Sequence, residues 1–170
     1  SVTSIGNGAF QNCDLTRIII PDSVSTIGIR AFQGCDSAVS LTLPNNLNFT
    51  NIPDFAFAEC KVLSSVIIPD TVETIGEKTF RNLDALASIT IPGGITSIGE
   101  GAFEGCDELF TVNCNIDKYY IDNPGGVPAN NVFLNTPSGL TINAPLGLGW
   151  TAGNNLSVGG NDNVNVNIIS

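Results

Sequence analysis

The most informative absence in this 170-residue sequence is histidine, of which there is none. Without histidine the chain has no Ser-His-Asp triad and no Cys-His pair, and it lacks the residue that most zinc sites require. Paired carboxylates are the one acid-base arrangement that remains. The sequence therefore predicts no catalytic site and no cofactor.

Positive charge is also scarce. Six Lys and Arg residues stand against sixteen Asp and Glu residues, a net charge of −10. Such a chain repels phosphate backbones and anionic membrane surfaces, so we expect no nucleic-acid partner. No apolar run approaches the roughly 20 residues of a membrane-spanning helix, so we expect no membrane span. Methionine is absent and the first residues resemble the middle of a repeat, so we expect earlier coils or a leader before Ser1.

What the sequence does have is a repeat. Residues 4–13 recur as residues 26–35 and as residues 97–106, and variants of the same phrase occupy residues 52–60 and 75–83. The five units are 22, 25, 23 and 23 residues apart, measured between their isoleucines, which are Ile5, Ile27, Ile52, Ile75 and Ile98. A fixed period of this length is the signature of a solenoid, whose coils depend on their neighbours for stability.

Each unit continues into an alternating apolar pair, followed in four of them by proline. Alternation predicts a half-buried strand, and proline, which cannot donate to a sheet, ends it. We expect these strands to stack as one parallel sheet, at residues 18–20, 41–43, 66–68, 89–91 and 112–114. A second short extended stretch is expected near residues 24–27 and their equivalents, with one helical turn at each Ala-Phe-x-x-Cys.

The phrase Ile-Gly-x-x-Ala-Phe-x-x-Cys-x-x-Leu-x-x-Ile-x-Ile-Pro resembles the repeat of the BspA-like leucine-rich-repeat family over residues 1–115. Thr79 and Leu83 depart from it in the fourth unit, and two extra residues lengthen the connection at residues 45–48. The resemblance implies a curved leucine-rich-repeat solenoid of the β-rich α/β class, with stacked parallel strands, short helical turns and a β-rich carboxyl-terminal cap. It also implies a secreted or cell-surface protein, as members of this family commonly are. Several members are implicated in adhesion, so the resemblance implies such a role as well.

The composition changes after the fifth unit, and residues 123–161 contain no charged residue. Phe133 and Pro145 keep the spacing of the repeat, so we predict five coils over residues 1–115, a loop at 116–129 and a degenerate sixth coil at 130–145. Residues 146–170 are predicted to form an Asn- and Gly-rich cap, with one alternating strand and with Leu148 and Trp150 covering the last coil.

The five cysteines all fall on inward-facing repeat positions: Cys13, Cys35, Cys60, Cys106 and Cys114. We expect buried free thiols that act as small apolar side chains. A disulfide between adjacent coils and a metal-binding or nucleophilic thiol remain alternatives.

A carboxylate directly follows the cysteine position in four repeat units: Asp14, Asp36 and Asp107 follow cysteines, and Asp84 follows Leu83, which fills that position in the fourth unit. Because they recur along a row instead of converging, we expect a solvated loop face. A weak calcium site between coils is the alternative, and an enzyme with dispersed carboxylates is a more distant one.

The exposed side chains of the predicted sheet are the candidate binding surface. They are mostly hydroxyl-bearing and carry little charge, as suits contact with a protein or a glycan, although Ser and Thr also favour strands for their own sake. The ten residues are Arg17, Ile19, Ser40, Thr42, Ser65, Ile67, Ser88, Thr90, Thr111 and Asn113.

These observations predict a non-enzymatic binding or adhesion module of an extracellular or cell-surface protein. The alternative is a structural or accessory subunit that docks through its uncapped amino-terminal end, where Val2, Ile5 and Phe10 would face solvent. A hydroxyl lattice that orders water is a further alternative, weakened by Ile19 and Ile67. Asn48 and Asn155 fit the glycosylation acceptor pattern.

Overall fold

The computed structural model describes residues 1–116, 131–146, 153–158 and 161–169. These residues form stacked coils with strands on two sides. The strands are β1 (Ser4–Ile5), β2 (Ile18–Ile19), β3 (Thr26–Ile27), β4 (Leu41–Thr42), β5 (Asn51–Ile52), β6 (Thr74–Ile75), β7 (Ser88–Ile91), β8 (Ser97–Ile98), β9 (Thr111–Cys114), β10 (Thr141–Pro145), β11 (Gly153–Val158) and β12 (Asn161–Ile169). The prediction of a parallel-stranded solenoid is confirmed.

The expected main sheet is present in two pieces. β2 pairs with β4, and a five-stranded sheet runs in the order β11-β12-β10-β9-β7. Every pairing is parallel except that of β11 with β12. The prediction of a strand at residues 66–68 is wrong, because no ladder hydrogen bond joins this segment to either neighbouring coil in the described part of the chain.

The back sheet is formed by the shorter strands that begin each repeat phrase. It too is divided, into β1-β3 and β5-β6-β8. In each strand the isoleucine faces the core and the preceding polar residue faces solvent or the coil edge, as in β3, where Thr26 is exposed and Ile27 is buried. The expected second extended stretch is therefore found, centred on the isoleucine.

The predicted helical turns are wrong: none of the described residues lies in a helix. Each Ala-Phe-x-x-Cys segment is a chain of tight turns in which alternate amides bond in two directions. Ala9 and Gln11 donate to carbonyls three residues earlier, whereas Phe10 donates 2.7 Å to Ala31 of the next coil. A helix would keep all these donors within one coil, but here half of them join coils. Positive φ angles, such as 55° at Asn12, also prevent helical continuation.

The core is built around a column of phenylalanines, one from each coil. Their rings are nearly parallel, and neighbouring centroids are 5.1 to 5.9 Å apart. This spacing lies within the favourable range for offset aromatic stacking. The column comprises Phe10, Phe32, Phe57, Phe80, Phe103 and Phe133.

Glycine after the repeat isoleucine lets adjacent coils approach closely. A Cβ on Gly76 would lie 2.5 Å from the Asp54 amide nitrogen, and one on Gly99 would lie 2.7 Å from the Glu77 Cα. Gly6, at the same repeat position in the first coil, would meet nothing within 4 Å. The third coil has Pro53 at this position.

The carboxyl-terminal elements continue the main sheet. β10 pairs with β9, β12 pairs with β10, and Phe133 stacks on Phe103 at 5.7 Å. The division into a loop at 116–129, a sixth coil at 130–145 and a cap at 146–170 stays a prediction. The expected packing of Leu148 and Trp150 lies outside the described residues.

Candidate functional site

None of the ten residues proposed as a binding surface is buried. Eight of them lie in or next to strands of the main sheet, whereas Ser65 and Ile67 lie in the unpaired segment of the third coil. We call these ten residues the contact strip. Ile19 and Ile67 are its most exposed large apolar side chains, at 67% and 76%. Arg17 is its only charged residue. The strip therefore offers hydroxyl groups and two isolated apolar side chains. A partner that covers it has to bury little charge. Its role in binding stays a prediction.

An asparagine ladder extends this face beyond the contact strip. Asn143 Nδ2 donates to Asn113 Oδ1 at 2.9 Å, and Asn167 Nδ2 donates to Asn143 Oδ1 at 3.2 Å. The register places Thr141 beside Thr111 and Asn165 beside Thr141. Sequence reasoning missed this extension because the last coils do not keep the period. The available signal was the alternation of Thr141, Ile142 and Asn143.

The five cysteines are free, and all except Cys13 are buried. Three thiols donate to the phenylalanine carbonyl of a preceding coil: Cys35 to Phe10 at 3.1 Å, Cys60 to Phe32 at 3.3 Å and Cys106 to Phe80 at 3.1 Å. The thiols are thus hydrogen-bond donors between coils, a role that the spacing did not reveal.

Burial makes these thiols poor nucleophiles. Desolvation raises the pKa of Cys60, Cys106 and Cys114 to about 12. It also raises the pKa of Cys35. A thiolate is the reactive form, so these four buried thiols lack the environment of a catalytic cysteine.

The acidic row behaves as a loop face. Burial, followed by the neighbouring Asp107 carboxylate, raises the pKa of Asp84, whereas Lys61 opposes this shift. Among the described residues, no group of three or more Cys, Asp and Glu side chains is placed to hold a metal ion.

The end of the stack at the first coil is apolar. Val2 is 62% exposed and Phe10 is 40% exposed. An open cavity of about 330 Å³ there is lined mainly by aliphatic and aromatic side chains, among them Ile5, Leu15 and Ile18. The expected exposure is present at Val2 and Phe10, whereas Ile5 is partly buried against the core.

Comparison with known proteins matches the family described as BspA type leucine rich repeat region over residues 3–124, in six copies. No curated protein matches the chain. A leucine-rich repeat protein from Bacteroides ovatus is 29% identical, with a TM-score of 0.70 over 85% of this chain and 37% of its own. The T. pallidum leucine rich repeat protein is 28% identical, with a TM-score of 0.70 over 83% of this chain and 62% of its own.

A leucine rich cell surface protein from Faecalibacterium prausnitzii is 32% identical, with a TM-score of 0.63 over 66% of this chain and 30% of its own. This chain thus spans between about a third and three fifths of the length of these solved structures. In the described part of the chain there is no helix with the length and apolar character needed to cross a membrane.

Proposed function

Because this chain belongs to the BspA-type leucine-rich repeat family, we propose that it is a non-enzymatic binding module that contacts a protein or glycan through the contact strip. The observation that carries this proposal is the exposed face of the main sheet, whose two pieces lie on either side of the unpaired segment at residues 66–68. Solenoids commonly use such extended faces for recognition. No cofactor takes part in this function.

The chemistry of the contact strip supports recognition by shape and hydrogen bonding. Its hydroxyl and amide groups can donate and accept, and the asparagine ladder holds Asn113 and Asn143 in fixed orientations. Ile67 supplies an exposed apolar contact of the kind that dominates binding energy when a partner covers it. The net charge of −10 disfavours nucleic acid as the partner.

We place this module outside the cell or on its surface. The similar protein from Faecalibacterium prausnitzii is a cell surface protein. Buried thiols with a raised pKa would also tolerate an oxidising medium without forming disulfides.

The test replaces four residues of the contact strip, Ser65, Ile67, Ser88 and Thr90, with lysine. Arrays of extracellular proteins and of glycans then report what the unchanged chain binds and what the variant has lost. We expect at least about tenfold weaker binding, the equivalent of 1.4 kcal/mol.

The matched control replaces four polar residues of the back sheet, Thr26, Asn51, Thr74 and Ser97, with lysine. It adds the same charge on another face, so it should leave binding within a factor of two or three. If both variants bind as well as the unchanged chain, the assignment of the contact strip is contradicted. If both lose binding equally, the loss is a general effect of the added charge.

A second candidate function follows from the apolar first coil. We infer an accessory subunit whose first coil is covered by a partner with a flat coil face that continues the phenylalanine column beyond Phe10. The exposure of Val2 and Phe10 favours it. Sedimentation should show association that Val2→Lys with Phe10→Lys abolishes. A clean monomer at high concentration, with no partner recovered, argues against this function.

A further inference from the structure

In the described part of the solenoid, both sheets are interrupted at one junction, which lies between the second and third coils. In the main sheet, β2 and β4 form the piece before the junction, and residues 66–68 after it remain unpaired. In the back sheet, β3 and β5 belong to different sheets. We call this junction the seam.

The lost ladder is visible at equivalent positions. Ser25 donates to Thr3 at 2.9 Å, and Glu73 donates to Thr50 at 2.8 Å. In the described chain no corresponding bond joins Thr50 to Ser25 across the seam. The main-sheet side is more open still, because residues 64–68 have no backbone hydrogen bond to any described residue.

Two features of the sequence explain why the sheets part here. The connection at residues 45–48 is two residues longer than in the other coils. It is also tied to the preceding connection, because Asn46 Nδ2 donates to the carbonyls of Asp22 and Val24, both at 2.9 Å.

The second feature is Pro53, which replaces the glycine that allows close approach in other coils. Gly76 and Gly99 donate to Ile52 and Ile75 of the preceding coils, at 2.8 and 2.7 Å. Proline has no N–H, so the equivalent bond to Ile27 cannot form.

The turn side of the seam remains closed. Across it, Phe32 donates to Ala56 and Gly34 to Ala58, both at 2.9 Å, and the Phe32 and Phe57 rings are 5.5 Å apart. The two coils are therefore joined along the phenylalanine column and separated along both sheets.

On the main-sheet side this separation leaves an open groove of about 360 Å³. Thr42, Asn45, Ile67 and Asp70 are among its lining residues. Ile18 N–H donates to the Ser40 carbonyl, so in parallel geometry the Leu41 amide points away from β2 and towards the groove. Leu41 therefore presents backbone groups towards the groove, and residues 66–68 on its other side have no backbone partner among the described residues.

We propose that the seam groove captures an extended segment of a partner protein, which adds a strand between residues 41–43 and 66–68. This proposal deepens the proposed function and rests on it for the protein nature of the partner. An unpaired strand edge is complementary to another extended backbone, and this complementarity favours a polypeptide over a glycan.

The lining specifies the segment further. Ile67 is 76% exposed beside the groove, so the segment carries apolar side chains at alternate positions. Asp70 lies at the groove and the chain has a net charge of −10, so the segment also carries basic residues.

The probe is a fluorescent nine-residue peptide in which valine and threonine alternate between terminal lysines. Two control peptides change one property each: one has alternate backbone amides methylated, and the other has glutamate in place of lysine. Fluorescence polarisation should show saturable binding of the first peptide. N-methylation should weaken binding about tenfold or more, since it removes backbone hydrogen bonds.

Two variants locate the binding. The closed-seam variant replaces residues 45–48 by Asp-Thr, as in the third coil, and carries Pro53→Gly. The second variant, Ile67→Asp, leaves the backbone of the seam unchanged, so it serves even if the closed-seam chain fails to fold. Its matched control is Ile19→Asp, which alters the equivalent exposed isoleucine away from the seam.

We expect both seam variants to lose peptide binding and Ile19→Asp to retain it. Equal binding by the methylated peptide, or equal loss in Ile19→Asp, would overturn the proposal. Self-association that only the closed-seam variant abolishes would identify a second copy as the occupant instead, and would overturn it too. The double variant Ser88→Lys with Thr90→Lys tests the contact strip alone. If this variant still binds its partners on the arrays and still binds the peptide, the assignment of the contact strip is wrong and the proposal for the seam groove is retained.

Discussion

Replacing Gly99 by alanine tests how closely the coils pack. The new Cβ would lie 2.7 Å from the Glu77 Cα, whereas ordinary contact begins at 3.4 Å. The Glu77 amide nitrogen and the Gly76 carbonyl carbon would be nearer still, so the coils must move apart by more than about 0.7 Å, a displacement of the kind that overpacking forces. The same movement stretches the 2.7 Å bond from Gly99 N–H to the Ile75 carbonyl. Overpacking and one weakened hydrogen bond together cost about 2–4 kcal/mol.

Gly6→Ala is the matched control, because the same repeat position there has nothing within 4 Å. That substitution should be neutral or stabilise the protein by about 0.4–1 kcal/mol, through the unfolded chain. Urea unfolding measures both free energies, and amide exchange of β1 and β8 separates local fraying from global unfolding. Equal changes at Gly6 and Gly99 would refute the close approach of the coils.

Three further predictions follow. Phe57→Ala should lower the free energy of unfolding by about 3–5 kcal/mol, because the Phe57 ring is fully buried between two others. Phe10→Ala should cost less than half as much, because the Phe10 ring is 40% exposed and has one stacked neighbour. Equal costs in urea unfolding would contradict the stacking of the phenylalanine column. Iodoacetamide at pH 8 should label only Cys13 in the folded chain and all five thiols in denaturant, since burial raises the pKa of the other four; labelling of the folded chain at Cys60 would disprove the burial. Asp84→Asn should stabilise the protein at pH 7, because a raised pKa means that the folded state disfavours the ionised carboxyl. The gain should vanish below about pH 3.9, where aspartate is protonated in the unfolded chain as well, and a gain that persists there would have another cause.

The sequence was sufficient to predict the elements whose cause is local. Alternation at residues 89–91 and 112–114 predicts strands, and both segments lie in strands of the structure. The repeat phrase also places Phe57 and Cys60 in the core. In these cases the repeat period alone determines which side chains face the core.

The failures arise where neighbouring coils decide the outcome. The segment around Phe10 has the spacing of a helical turn, yet its amides donate to Ala31 and other residues of the next coil. Residues 66–68 alternate as well as any other strand, but among the described residues they have no backbone partner in either neighbouring coil. The contact strip could be located from alternation, whereas its extension through Asn143 required the strand register.

The seam also has a mechanical consequence. A solenoid pulled along its axis bears the load in series, so the junction with the fewest connections yields first. At the seam the load falls on the turn-side bonds and the phenylalanine contact, while the five-stranded sheet beyond it keeps its ladders. Under tension along its axis the described stack would therefore extend at this junction before any coil unravels, and a strand held there would resist the opening.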